Sequence, residues 1–117
     1  MLLAKNKELE EVRKQFEDFK TRSGKLPDEN AVLHYNLSVL YAQSQQYPRA
    51  ITELEKVIEL KPDDGEAYYN LGVIYGEYLN NRKKAIGYFK KYLALSPKDP
   101  DADRIRKYVL TYETYDQ

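Results

Sequence analysis

Residues 31–64 and 65–99 are two copies of one pattern, and this repetition limits the chain to folds built from stacked equivalent units. Through the first half of each copy the offset is 34 residues. Tyr35 matches Tyr69, Asn36 matches Asn70, Leu37 matches Leu71, Val39 matches Val73 and Tyr41 matches Tyr75. One extra residue, expected in the turn that follows, raises the offset to 35. Ala50 then meets Ala85, Ile51 meets Ile86, Lys56 meets Lys91, Leu60 meets Leu95 and Pro62 meets Pro97.

The residues within each copy have helical logic. Leu37, Ser38 and Tyr41 fall on one stripe of a helix. Small residues at Ser38, Gly72, Ala50 and Ala85 allow paired helices to approach closely. A mid-helix glycine such as Gly72 costs about 1 kcal/mol against alanine, so close packing is the expected compensation. Pro62 and Pro97 stop the apolar runs Ile51–Leu60 and Ile86–Leu95, because proline cannot continue the hydrogen-bond ladder. Pro48 suits a helix's first turn, and Asp63 with Glu66 reads as a capping box. The expected fold is all-α, with antiparallel helix-turn-helix repeats and six helices at about 4–22, 30–44, 48–60, 65–79, 82–95 and 100–113. The segment Ser23–Asp28 is expected as the loop between the first two, and Asp99–Pro100 as the opening of the last.

The second copy reads Tyr68-x-x-Leu71-Gly72-x-x-Tyr75, then Ala85-x-x-x-Phe89, then Pro97. The first reads His34-x-x-Leu37-Ser38-x-x-Tyr41, then Ala50-x-x-x-Leu54, then Pro62. Both resemble the tetratricopeptide consensus, with departures at His34, Ser38 and Leu54. The resemblance covers residues 31–99 and implies an α-α superhelix that serves as a non-catalytic scaffold, holding a partner peptide or helix in a concave groove.

The organisation expected is an N-terminal helix and linker over 1–29, two repeats over 30–99, and a C-terminal capping helix over 100–117. Ala102, Ile105, Val109 and Tyr112 recur at spacings of three or four and form that cap's apolar stripe, with Arg104, Arg106 and Lys107 facing water. In the N-terminal segment Leu2, Leu9 and Phe16 share one heptad position, and Val12 and Phe19 share another. This stripe either packs on the first repeat or pairs between chains. It falls short of the heptads a coiled coil needs.

Catalysis has little to work with. The chain lacks cysteine and has one histidine, His34, in the slot of the repeat's large aromatic residue, where a packed ring is expected. Glycines at 24, 65, 72, 76 and 87 are too scattered for a phosphate loop. No cofactor or metal site is expected. Nineteen basic and nineteen acidic side chains cancel, so no global field recruits nucleic acid or anionic lipid. Residues 27–64 nevertheless carry a net −4 and residues 65–99 a net +3, a layout that suits either a solvated surface or head-to-tail stacking of copies. Arg82–Lys83–Lys84 and Lys90–Lys91 read as a solvated outer face rather than a nucleic-acid patch. Without a membrane-length apolar run, direct insertion is not expected and a cytoplasmic setting is, with an anchor elsewhere in a longer protein left open.

The resemblance also implies where a partner sits. The groove-facing slots correspond to Tyr35, Val39 and Ala42 in the first copy and Tyr69, Val73 and Gly76 in the second. Asn36 and Asn70 lie beside them, and Arg104, Tyr108 and Thr111 continue the strip. Relatives that grip a C-terminal carboxylate carry lysine and asparagine where this chain has Tyr35 and Val39. The expected ligand is therefore an apolar or aromatic protein segment rather than a carboxylate tail. The competing expectation is self-assembly, with another copy of the chain as the partner.

Overall fold

The computed structural model describes residues 8–15 and 27–115. The chain divides into two compact units, Met1–Pro62 and Asp63–Gln117. The first holds α1 (8–15), α2 (Pro27–Gln43) and α3 (Tyr47–Leu60). The second holds α4 (Gly65–Val73), a π-helical continuation (Ile74–Tyr78), α5 (Arg82–Leu95) and α6 (Ala102–Tyr115). A helix stands at each of the six anticipated places, the first described over 8–15, and α2 with α3, α4 with α5 and α5 with α6 pack as antiparallel neighbours.

Pro27 and Asp28 belong to α2 rather than to the loop expected over Ser23–Asp28, the rest of which lies outside the described residues. Proline is tolerated in a first turn, where its missing N–H is not needed, so it opens this helix instead of ending a linker. The cap of α4 is also displaced by one residue from the expected Asp63. Asp64 Oδ1 accepts from the backbone N–H groups of Glu66 (3.1 Å) and Ala67 (3.3 Å). Replacing Asp64 with alanine removes the side-chain acceptor of the Glu66 N–H and leaves the Ala67 N–H only the Asp64 carbonyl (3.2 Å), and is expected to lower stability by about 1 kcal/mol. A thermal melt of Asp64→Ala beside Asp63→Ala checks this, since only the former should shift the midpoint downward.

The extra residue of the second copy lies inside the helix, not in the turn. Among the described residues Gln45 and Asn80 are the two non-glycine residues of positive φ, at 61° and 53°, and they already stand 35 apart. The insertion must therefore precede them. In the first repeat the N–H of Gln46 donates to the carbonyl of Tyr41 (2.8 Å), closing a Schellman-type end. In the second, the N–H of Asn81 donates to the carbonyl of Tyr75 (2.7 Å), the equivalent pair spanning one residue more. The Leu79 N–H reaches back five residues to Ile74 (3.1 Å), the mark of a π turn. The bulge absorbs the residue and leaves the next helix in register.

In the first unit Leu37, Tyr41, Ala50, Leu54 and Val57 form the core. Leu9 of α1 is buried on the same unit, and Arg13 Nη2 donates to the Tyr41 hydroxyl (2.6 Å). Of the N-terminal heptad residues, Leu2, Phe16 and Phe19 lie outside the described residues. In the second unit Tyr68, Leu71, Phe89 and Tyr92 are joined by Ala102, Ile105 and Val109 of the capping helix, all buried.

One pair of slots is filled by opposite chemistry in the two units. In the second, Tyr68 and Tyr88 face each other with ring centroids 6.4 Å apart. The equivalents in the first are His34 and Glu53, both buried, with Nδ1 and Oε2 2.5 Å apart. Burial alone would push the Glu53 carboxyl up. The hydrogen bond from His34 and the charges of Lys56, His34 and Arg13 outweigh it, and the carboxyl is held below its usual range.

Candidate functional site

The second unit carries a cavity of about 340 Å³ lined by Glu66, Tyr69, Asn70, Tyr92, Ser96, Asp99 and Asp101. Its floor is aromatic. The Tyr69 and Tyr92 rings meet edge to face at 5.2 Å, and Tyr69 also lies 6.1 Å from the Phe89 ring. Its rim is a chain of fixed polar groups. The Tyr92 hydroxyl donates to Asp99 Oδ1 (2.8 Å), which also accepts the backbone N–H of Asp101 (3.0 Å). Arg104 Nη2 donates to the Tyr69 hydroxyl (2.6 Å) and, more weakly, to Asp101 Oδ1 (3.4 Å).

This network follows from how α6 starts. Asp99 lies between Pro97 and Pro100 in the turn that joins α5 to α6, where its carboxylate accepts the Asp101 N–H in an Asx-type bond and also meets the hydroxyl of Tyr92 in the last turn of α5. The N–H of Asp101 and the Tyr92 hydroxyl hold the Asp99 carboxyl below its usual range. Burial, then the Asp99 hydrogen bond and the nearby charges of Asp99 and Asp101, push the Tyr92 hydroxyl well above the ordinary phenol range. Tyr92 therefore stays a donor, and the rim keeps its arrangement across the neutral range.

Of the residues expected at the site, the structure gathers Tyr69, Asn70 and Arg104 around this cavity. Val73 is half-buried on the same helix. Tyr108 stands apart, with its ring 5.2 Å from Phe89 and 4.8 Å from Tyr112. Gly76 faces it closely: a Cβ there would come within 2.8 Å of the Tyr108 hydroxyl and 3.2 Å of Ala85 Cβ. In the first unit Asn36 and Val39 are exposed on α2, while Tyr35 and Ala42 are half-buried. The Tyr35 carbonyl accepts from Ser38 Oγ (2.6 Å).

Sequence reasoning missed Tyr92, Ser96 and the cavity-lining role of Asp99 and Asp101. One signal was available for Tyr92, which fills the slot of Val57 in the first repeat. A tyrosine there brings a hydroxyl that must find a partner when buried.

Residues 39–77 match a family model described as TPR repeat, and residues 65–99 match one described as Tetratricopeptide repeat. The chain belongs to the tetratricopeptide-repeat family. Tetratricopeptide repeat protein 37 of Xenopus laevis is 32% identical over 79 residues, covering 63% of this chain and 5% of that protein. The Hsp70-Hsp90 organizing protein of Triticum aestivum is 37% identical over 68 residues, covering 58% of this chain and 12% of that protein. The chain thus spans a small fraction of the length of these relatives. Tetratricopeptide repeats are in general protein–protein interaction modules. Among the described residues no helix is long and apolar enough to cross a membrane, and no group of three or more His, Asp or Glu side chains is arranged to hold a metal.

Proposed function

We propose that this tetratricopeptide module is a non-catalytic adaptor that holds an apolar or aromatic protein segment at the Tyr69–Tyr92 cavity of its second unit. The cavity is the observation that carries this reading. Its aromatic floor offers area for an apolar side chain at low entropic cost, and its hydroxyls are already fixed by Arg104 and Asp99. Its rim carries Glu66, Asp99 and Asp101, and the Arg104 guanidinium is engaged by Tyr69 and Asp101. A terminal carboxylate would meet repulsion there. Asn70 adds a side-chain amide to the cavity wall.

A peptide-display selection on the whole chain tests the proposal. Selected peptides should be rich in aromatic and aliphatic residues, and should weaken by about tenfold or more on the Tyr69→Ala and Asn70→Ala variants. Circular dichroism melts would accompany both, with Asn70→Ala as the variant that spares the aromatic packing. Peptides that bind both variants as tightly as the parent, or that converge on a free acidic C-terminus, would sink the reading.

A further inference from the structure

The family's groove does not account for the outward face of α5. That helix carries five cations and no acidic residue. Lys83, Lys84, Gly87, Lys90, Lys91 and Ala94 are all exposed, and they follow a seven-residue register. Lysine pairs stand at 83–84 and 90–91, and small residues at 87 and 94. Seven residues are about two helical turns, or roughly 10.5 Å, so equivalent positions recur on one face.

Two further observations set this face apart from an ordinary solvated one. Its cations are steered by rings more than by carboxylates. Lys84 Nζ lies 5.1 Å from the Tyr75 ring centroid and Lys91 Nζ 6.0 Å from that of Tyr68. Tyr75 is itself stacked on Tyr88 at 5.6 Å and 11°. A cation resting on a ring is oriented but not neutralised, so its field remains available. Among the described residues only Lys90 of this face has a carboxylate partner, Glu113 of α6. Second, a Cβ built at Gly87 meets nothing within 4 Å. A mid-helix glycine is unfavourable, and here no packing inside the unit explains it. The first turn of α5 also sets Arg82, Lys83 and Lys84 against its own macrodipole. Local choices that oppose stability gather at functional surfaces.

We infer that the outward face of α5 docks an acidic helix of a protein partner, whose carboxylates pair with Lys83, Lys84, Lys90 and Lys91 while its backbone approaches over Gly87 and Ala94. Charge complementarity selects an anion, and the seven-residue register with small residues between the cations selects a helix lying alongside. A phosphate backbone would use the lysines but has no need of the register or of the glycine. The surface is separate from the Tyr69–Tyr92 cavity, so the two readings stand or fall independently.

The test uses the full chain and a fluorescein-labelled alanine-based helix of about 21 residues bearing Glu-Glu pairs every seven residues. Anisotropy should show saturable binding that weakens as salt rises from about 50 to about 300 mM. Lys83→Glu with Lys90→Glu should weaken it more than about tenfold. Gly87→Gln adds bulk without charge where there is room, and should weaken it by a similar factor. The same peptide with its glutamates scrambled should bind more weakly. Three results would each overturn the inference: undiminished binding by Gly87→Gln, equal binding of the scrambled peptide, or tighter binding of oligothymidylate or phosphatidylserine vesicles than of the helix.

Discussion

His34→Leu is expected to destabilise the first unit by about 3–5 kcal/mol, although it replaces a buried polar ring with an apolar side chain of similar size. The loss comes from what is left behind. Glu53 is 5% exposed and takes its shortest contact from His34 Nδ1. Among the described residues the carboxylate then keeps Lys56 Nζ at 3.6 Å and the more distant charge of Arg13. Glu53→Leu should cost less, about 1–3 kcal/mol, because it leaves a polar ring without its acceptor rather than a buried carboxylate without its donor. Replacing both with the second repeat's residues, His34→Tyr with Glu53→Tyr, should be neutral or stabilising by about 1–4 kcal/mol. Urea denaturation gives the totals, and native-state hydrogen exchange of α2 and α3 amides assigns them to the first unit. A double variant less stable than both single ones would contradict the argument.

The same pair fixes a pH dependence. The Glu53 carboxyl is held below its ordinary value of 4.5 in the folded protein, so the unfolded chain binds more protons in the interval between the two values. Stability from this group is fully present above the ordinary carboxylate value. It is lost as the pH falls through the lowered folded value. In the paired tyrosine variant this acid-side slope should flatten, and the urea midpoint measured across acidic pH reports it.

The repeat, its small residues and its prolines were readable because each is a local rule repeated in register. The capping-helix stripe was readable for the same reason, and Ala102, Ile105 and Val109 are buried as its spacing requires. The partner of His34 was harder. Glu53 sits among charged residues, yet its spacing from Ala50, Leu54 and Val57 places it on α3's buried stripe. The position of the inserted residue depended on the left-handed conformations of Gln45 and Asn80, which sequence identity alone does not reveal. The cavity was hidden because Asp99 has two tasks. Its capping role is local, while its bond to Tyr92 depends on how the chain returns from α5 into α6.

Gly72→Ala should lower stability by about 1–3 kcal/mol, even though alanine favours the helix by about 1 kcal/mol. A Cβ at this position would lie 2.5 Å from two carbons of the Phe89 ring and 2.9 Å from a third. The ring cannot swing aside freely, because it is held between Tyr69 and Tyr108 at 6.1 and 5.2 Å. The first repeat shows the compensated solution: Ser38 occupies the glycine's slot, and the smaller Leu54 occupies the phenylalanine's, with both buried. A double-mutant cycle between Gly72→Ser and Phe89→Leu should therefore show favourable coupling of about 0.5–3 kcal/mol, the leucine relieving what the serine introduces. Chemical denaturation of the four proteins measures it. Additive losses would mean that the helices shift apart to admit the new atom, and that the glycine is not required by the ring.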